Sequence, residues 1–113
     1  AVAYEDFIAE GDPAHSWPEL DERDAAALCY TSGTTGHPKG ALYSHRSTVL
    51  HALGVALPDV FDLGASVTCL PIVPMFHACA WGLPYAAAAT GAGLVMPGPK
   101  MDAESLTELL EDE

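Results

Sequence analysis

The sequence predicts an α/β fold of layered strands and helices, and three features of its 113 residues support this prediction. Residues 25–30 form a short apolar run that ends at a Gly- and Thr-rich turn, as a buried strand does. From Ser47 onward, apolar residues recur at helical spacing. Residues 63–99 then alternate strand-like and helix-like stretches. Strands that alternate with helices indicate an α/β architecture.

Most of the predicted elements begin or end at a recognisable residue. Ser44 and Asp102 are suitable N-caps for the helices that follow them. Pro84 is expected in the first turn of an Ala-rich helix or at a kink within it, and Gly91 is expected to end that helix. The predicted order is helix 1–9, strand 25–30, strand 41–43, a helix from Ser47 to near Pro58, strand 66–70, helix 78–90, strand 94–96 and a final helix after Asp102.

The net charge of −12 is concentrated at the two ends of the chain. Residues 1–24 carry eight acidic residues against one base, and residues 102–113 carry six acidic residues and no base. Such acidic flanks argue against nucleic acid and anionic membrane as partners. Residues 63–99 contain no Asp, Glu, Lys or Arg. The prolines within that stretch favour a buried core over a membrane span.

Cysteine usage indicates the compartment. The three cysteines, Cys29, Cys69 and Cys79, include no C-x-x-C pair. This pattern suits a reducing compartment rather than a disulfide framework, and a zinc site would need cysteine and histidine in tighter clusters. We therefore expect a cytoplasmic protein.

Residues 30–40, with the sequence YTSGTTGHPKG, carry the strongest functional signal. Glycines let a backbone approach a ligand closely, and successive backbone N–H groups in such a loop can converge on phosphate oxygens. The Ser and Thr hydroxyls can bond phosphate or help to hold Mg²⁺, and Lys39 adds a mobile positive charge. The loop is not a Walker A motif, because Gly40 stands where that motif requires Ser or Thr. A flexible linker is the other interpretation of such a composition, but a linker has no need of the Pro-Lys-Gly ending.

The pattern YTSGTTGxPKG resembles the signature phosphate loop of the AMP-forming adenylate enzymes, which include acyl-CoA synthetases, luciferases and the adenylation domains of peptide synthetases. The resemblance implies that residues 25–113 are part of the large N-terminal domain of such an enzyme. Residues 1–24 would be an acidic, irregular lead-in, and the C-terminal domain would be absent. It also implies that Thr31 lies nearest the metal ion and that Lys39 is catalytic. The residues that it assigns to the ATP phosphates are Thr31, Ser32, Gly33, Thr34, Thr35, Gly36 and Lys39.

A second informative stretch, residues 74–85, has the sequence PMFHACAWGLPY. On their own, His77 and Trp81 would be read as core residues, although a spacing of four places them on one face of a helix. The stretch resembles the corresponding segment of the fatty-acyl-CoA synthetase branch. That resemblance implies that His77 lies beside the acyl carboxylate and is catalytic, that Ala78 offers a backbone contact, and that Trp81 gates the fatty-acid tunnel. The family often has Val-Asn where this chain has Ala78 and Cys79, so a side-chain contact from Cys79 does not carry over.

The implied reaction has two steps. A carboxylate attacks the α-phosphorus of ATP to give acyl-AMP and pyrophosphate, and the thiol of coenzyme A then displaces AMP to give a thioester. The expected ligands are therefore ATP, Mg²⁺, coenzyme A and a small carboxylic acid, which the resemblance implies to be of the fatty class. The alternatives are an amino-acid or aryl-acid adenylating domain and a nucleotide-binding module without ligase chemistry. The motifs that would complete the reaction lie outside these residues, so this piece alone is expected to be inactive.

Overall fold

The computed structural model of the chain describes residues 3–33 and 36–112. Its elements, in chain order, are α1 (Tyr4–Ala9), β1 (Ala25–Thr31), β2 (Lys39–Ser44), α2 (His45–Val55), β3 (Thr68–Cys69), α3 (Ala78–Trp81), α4 (Leu83–Thr90), β4 (Gly93–Leu94) and α5 (Ala103–Asp112). The predicted mixture of strands and helices is confirmed. Two of the strands are shorter than predicted, since β3 and β4 have only two residues each.

The strands β1 and β2 form an antiparallel hairpin whose last register pair is Thr31 and Lys39. The Gly- and Thr-rich loop that resembles a phosphate-binding loop therefore connects two strands, as predicted. The prediction that residues 25–30 are buried is wrong, because the side chains of Leu28 and Tyr30 are 55% and 67% exposed. Side chains alternate between the two faces of a strand, and only Ala27 and Cys29 on the opposite face are partly covered.

Helix α2 begins where the sequence predicts a cap. The Ser44 side chain accepts a hydrogen bond from the backbone N–H of Ser47 at 3.2 Å, which satisfies one of the free donors of the first turn. The acidic lead-in also contacts this end of the helix, through an exposed ion pair between Arg46 Nη1 and Glu22 Oε1 at 2.6 Å. The helix ends at Val55, three residues before Pro58.

The small core lies between α2 and α4. It is built from Ala52 on α2, Leu83 and Ala86 on α4, and Leu63 in the connection between α2 and β3. Pro84 stands in the first turn of α4, where its missing N–H costs no hydrogen bond. Gly91 ends α4 in the left-handed conformation, with φ at 75°. The predictions for Pro84 and for Gly91 are therefore both confirmed.

Helix α4 also connects the strands β3 and β4, which pair in parallel with Cys69 opposite Leu94. A parallel pair needs a crossover connection, and a helix is the usual one. The pair and its helix therefore form a β-α-β unit, which places α4 beside α2.

Helix α5 follows, and the Asp102 carboxylate that caps it accepts from the backbone N–H of Ser105 at 3.0 Å, as predicted. Hydrogen bonds from the backbone N–H and from the side chain of Ser105 lower the pKa of the Asp102 carboxyl. Nowhere in residues 3–33 and 36–112 is a helix long and apolar enough to cross a membrane.

The predicted continuous helix over residues 78–90 is wrong in its first turn. The segment α3 is a single left-handed turn in which Ala78, Cys79, Ala80 and Trp81 have φ between 47° and 56°. Each L-residue in that conformation costs about 1–2 kcal/mol relative to the right-handed helix. Gly82 then carries the chain into α4 with φ at 72°. Such a run of left-handed residues must be held by contacts with the rest of the structure.

Candidate functional site

The first candidate site lies at the end of the β1–β2 hairpin. Because Thr31 and Lys39 are directly opposite each other in the antiparallel register, their side chains are on the same face of the hairpin. A pocket of about 390 Å³ is lined there by Thr31, Ser32, Gly33 and Lys39. The hairpin thus brings one positive charge and two hydroxyls to one opening, a combination that suits an anionic, oxygen-rich ligand.

The turn of this loop requires glycine. Gly33 has φ at +63°, and a Cβ atom built on it would lie 2.4 Å from the carbonyl oxygen of His37. Gly36 has φ at +89°, a conformation that other residues rarely adopt. Thr34 and Thr35, which were also predicted to contact phosphate, lie outside the described residues. Their roles remain predictions, as do the phosphate contacts of the other loop residues.

The Thr31 hydroxyl fits the chemistry of a magnesium ligand. Mg²⁺ prefers hard oxygen ligands and keeps several water or phosphate oxygens in its shell. The hydroxyl is exposed at the pocket and makes only a long hydrogen bond of 3.4 Å to the carbonyl oxygen of Lys39. Over the described part of the chain, no three His, Cys, Asp or Glu side chains form a metal-binding cluster. Thr31 is therefore suited to be one ligand of an ion that arrives with a phosphate-bearing substrate.

The second candidate site is a cavity of about 290 Å³ between the hairpin, α2 and the left-handed turn. Its lining is mostly carbon, although several side chains contribute polar tips at the wall. The cavity is lined by Ala27, Tyr43, Ser47, Thr48, His51, Ala78, Cys79, Trp81, Gly82 and Tyr85. A mainly apolar cavity with a few polar groups is typical of a small-molecule site.

Two of the three predicted substrate-binding residues line this cavity. Ala78 and Trp81 are part of its wall, and Trp81 remains 48% exposed. His77 is not among the lining residues; it precedes the turn, and its backbone N–H donates to the carbonyl oxygen of Pro74 at 2.9 Å. The right-handed helical spacing used to place His77 and Trp81 on one face is wrong, because the intervening residues form a left-handed turn. A role for His77 beside a carboxylate stays a prediction.

His51 on α2 supports the turn that carries Trp81. The carbonyl oxygen of Trp81 can only accept, so His51 Nε2 donates to it across 2.9 Å. The His51 ring also lies against Gly82, where a Cβ atom would come within 2.6 Å of the ring carbon Cδ2. His51 thus fixes one end of the left-handed turn, and Gly82 makes room for it.

The sequence analysis did not assign this contact to His51. One signal was present in the sequence. Ser47 and His51 are four residues apart on α2, so they lie on the same side of the helix, and both line the cavity. The contact between His51 and Trp81 itself joins residues thirty positions apart, and no local pattern encodes it.

Two ionisable groups beside the left-handed turn have raised pKa values. Interaction with the Cys79 side chain, followed by partial burial, raises the pKa of the Tyr85 hydroxyl. Hydrogen bonding to the Cys79 thiol, followed by burial, likewise raises the pKa of Cys29. Both shifts favour the protonated forms at neutral pH, so neither group adds negative charge near an apolar ligand.

The chain matches known proteins along nearly its whole length. The family described as AMP-binding enzyme matches residues 2–113. A medium-chain-fatty-acid–CoA ligase from Ectopseudomonas oleovorans is 59% identical over 112 residues, which cover 99% of this chain and 20% of that protein. A 3-methylmercaptopropionyl-CoA ligase from Ruegeria pomeroyi is 54% identical over 108 residues, again 20% of that protein. The chain therefore spans about a fifth of the length of these relatives.

The fold is similar to solved structures as well. The inhibitor-bound N-terminal domain of FACL13 from Mycobacterium tuberculosis superimposes with a TM-score of 0.77 and 28% sequence identity. The superposition covers 93% of this chain and 26% of that structure. The fold described here thus occurs as part of a larger domain in a solved structure.

Proposed function

The chain belongs to the family of AMP-binding enzymes, and from this premise we propose that it is the phosphate- and acid-binding part of a longer ATP-dependent acyl-CoA ligase. The observation that carries the proposal is the pairing of two different pockets on one hairpin. A polar pocket with Lys39 lies at its loop end, and an apolar cavity lies against Ala27 and Tyr43 of the same two strands. An enzyme that joins a nucleotide to an apolar acid needs both.

Packing supports the proposal that these residues are part of a larger unit. Among the described residues only six apolar residues are buried, four of them alanine, whereas large apolar side chains on the hairpin, including Leu28 and Leu42, are more than half exposed. The Cα radius of gyration is 16.5 Å, against about 13 Å for a compact domain of this size. Further chain from the same enzyme would cover this apolar surface. The proposed boundaries are a lead-in over residues 1–24 and a partial AMP-binding domain over residues 25–113.

In the first step the loop residues bind and orient the polyphosphate of ATP. Backbone N–H groups around Gly33 and Gly36 donate to phosphate oxygens, as do the hydroxyls of Thr31 and Ser32. Lys39 neutralises the charge that develops on the leaving pyrophosphate. When bound, Mg²⁺ supplies further charge neutralisation and orients the phosphates, with Thr31 as one ligand. Thr34 and Thr35, which lie outside the described residues, are assigned to the same phosphates by resemblance.

The apolar cavity holds the chain of the acid so that its carboxylate points toward the α-phosphorus. Trp81 and Ala78 form the wall next to the reacting end, and His77 is assigned to the carboxylate. Coenzyme A is the co-substrate of the second step, in which its thiol attacks the acyl carbonyl and AMP leaves. Each interaction supplies orientation, which is the main contribution a protein makes to reactions of this kind.

The acid itself is proposed to be a fatty acid of short to medium chain. The support is the mainly apolar wall of the cavity. A medium-chain fatty acid and 3-methylmercaptopropionate are the acids in the names of two relatives. We further propose a cytoplasmic location, which suits three cysteines without a C-x-x-C pair, and no nucleic acid as a partner.

A product assay on the full-length enzyme tests the proposal. ATP, coenzyme A and Mg²⁺ are incubated with acetate, octanoate, palmitate, 3-methylmercaptopropionate, an aryl acid or an amino acid in turn, and all products are quantified by mass spectrometry. We expect AMP, pyrophosphate and acyl-CoA in equal amounts, with octanoate among the best acids. Formation of ADP and phosphate, or a preference for the amino or aryl acid, would contradict the proposal. Nucleotide binding without turnover of any acid would favour the binding module.

A further inference from the structure

Two cysteines from distant parts of the chain meet beside the acid cavity. The Sγ atoms of Cys29 on β1 and Cys79 in the left-handed turn are 3.7 Å apart, and both side chains are partly buried. The two residues are fifty positions apart in sequence. Both are free thiols, as is Cys69 on β3.

We propose that Cys29 and Cys79 are a redox modification site, at which a peroxide converts the two thiols into a reversible disulfide that displaces the turn lining the acid cavity. The disulfide itself stands on the geometry of the two sulfurs. Its effect on acid selection rests on the proposed function.

The chemistry balances with hydrogen peroxide as the oxidant. Cys79 lines the cavity, so a small solute can reach its sulfur. That sulfur attacks one peroxide oxygen, the O–O bond breaks, and the leaving hydroxide takes the thiol proton as water, which leaves a sulfenic acid on Cys79. The sulfur of Cys29 then attacks the sulfur of Cys79, the S–O bond breaks, and the second hydroxide leaves as water with the Cys29 proton. Two thiols and one peroxide give one disulfide and two waters.

The turn, rather than the strand, is expected to move when the bond forms. A disulfide holds its sulfurs about 2.05 Å apart, so the two Sγ atoms must approach by roughly 1.6 Å from their present 3.7 Å. Cys29 lies in the middle of a strand whose register with β2 runs from Ala25 to Thr31. The turn, by contrast, is a single segment of L-residues in the left-handed conformation, which is intrinsically unfavourable. Closure therefore shifts Ala78 and Trp81, which are part of the cavity wall.

Cys69 is a matched internal control. It too is a partly buried thiol, and burial raises its pKa above the usual cysteine value. It lies on β3 and is not among the residues that line the cavity. A reagent that merely attacks accessible thiols would modify Cys69 as well, whereas the proposed disulfide would leave it free.

The first readout is structural and independent of activity. The reduced full-length enzyme is treated with hydrogen peroxide, its remaining thiols are blocked, and it is digested with trypsin. Cleavage after Arg23, Lys39, Arg46 and Lys100 places Cys29 in peptide 24–39, and Cys69 and Cys79 together in peptide 47–100. In the Cys69→Ala variant, a disulfide between these two peptides can join only Cys29 and Cys79. We expect this linked pair, lost on treatment with dithiothreitol. Its absence at peroxide concentrations that oxidise Cys69 in the unsubstituted enzyme would overturn the proposal.

The second readout is kinetic. Displacement of cavity residues by about 1 Å can lower catalytic efficiency up to about a hundredfold, so we expect peroxide to lower kcat/KM for the acid about tenfold or more. The KM for ATP should change less than about twofold, and dithiothreitol should restore the acid kinetics. Cys79→Ala, which lacks the sulfur that peroxide attacks, should show the same kinetics with and without peroxide, whereas Cys69→Ala should remain sensitive. A linked peptide without any kinetic change would overturn the proposed displacement. An enzyme that forms the linked peptide but activates no acid would contradict the proposed function and leave the modification site intact.

Discussion

Removal of the His51 side chain is expected to weaken the use of the acid without weakening the use of ATP. His51 Nε2 donates to the carbonyl oxygen of Trp81 at 2.9 Å, and this bond holds a turn of four non-glycine residues at positive φ. The intrinsic cost of those four residues is about 4–8 kcal/mol in total. A turn under such strain relaxes when a supporting contact is lost, and Trp81 then leaves its place in the cavity wall.

The magnitude follows from the hydrogen bond. A neutral hydrogen bond in a protein contributes about 0.5–1.5 kcal/mol net, and 1.4 kcal/mol corresponds to a factor of ten. His51→Ala should therefore lower kcat/KM for the acid by at least about two- to twelvefold. Among the residues that the structure describes, the loop pocket shares no lining residue with the cavity, so the KM for ATP should stay within about twofold of the original value.

The assay is acid-dependent pyrophosphate release by the full-length enzyme, measured over a series of acid concentrations and chain lengths. His51→Gln is the rescue variant, because the amide nitrogen of Gln can donate to the same carbonyl oxygen. His45→Ala is the matched control, because His45 lies on the same helix and does not line the cavity. Equal losses for acid and ATP, or kinetics in His51→Ala that match those of His45→Ala, would refute the reasoning.

Three further predictions concern the loop, the cavity wall and a helix cap. Lys39→Ala in the full-length enzyme should slow ATP–pyrophosphate exchange about a hundredfold, the cost typical of losing one preorganised charge-stabilising group, whereas Lys100→Ala should exchange at the original rate. Trp81→Ala should change the order of preference among acid chain lengths. It should lower the free energy of unfolding by less than the 3–5 kcal/mol typical of a buried tryptophan, since the side chain is half exposed. A uniform loss of activity with a large drop in melting temperature would indicate a purely structural role for Trp81. Ser44→Ala should lower the free energy of unfolding by about 1 kcal/mol through loss of the α2 cap, as measured by denaturant titration, with the exposed Ser16→Ala as a neutral control.

Features that depend on nearby residues could be predicted from the sequence. The cap at Ser44, the helix end at Gly91 and the place of Pro84 in a first turn all follow from local backbone chemistry. The loop between the two strands could be predicted in the same way, because its glycines indicate a turn in which residues adopt positive φ. Each of these signals lies within a few residues of the structure that it predicts.

Features that depend on tertiary contacts could not be predicted in this way. An Ala-rich stretch favours the right-handed helix by propensity, so the left-handed turn at residues 78–81 contradicts the local preference. The bond from His51 and the space left by Gly82 help to hold that turn, and both depend on how α2 packs. The apolar strand at residues 25–30 is exposed on one face because β1 belongs to a two-stranded hairpin, which composition alone does not reveal.

The central claim is that the two pockets serve one reaction, in which the carboxylate of an acid attacks the α-phosphorus of ATP. The most direct test follows the oxygen atoms. The full-length enzyme is supplied with octanoate labelled with oxygen-18 in its carboxyl group, together with ATP and coenzyme A, and the AMP produced is analysed by mass spectrometry. An oxygen of the carboxylate becomes the bridge to phosphorus in acyl-AMP and stays with AMP when the thiol attacks the carbonyl. We predict one labelled oxygen in each AMP formed. Unlabelled AMP, or label recovered in inorganic phosphate, would contradict the account.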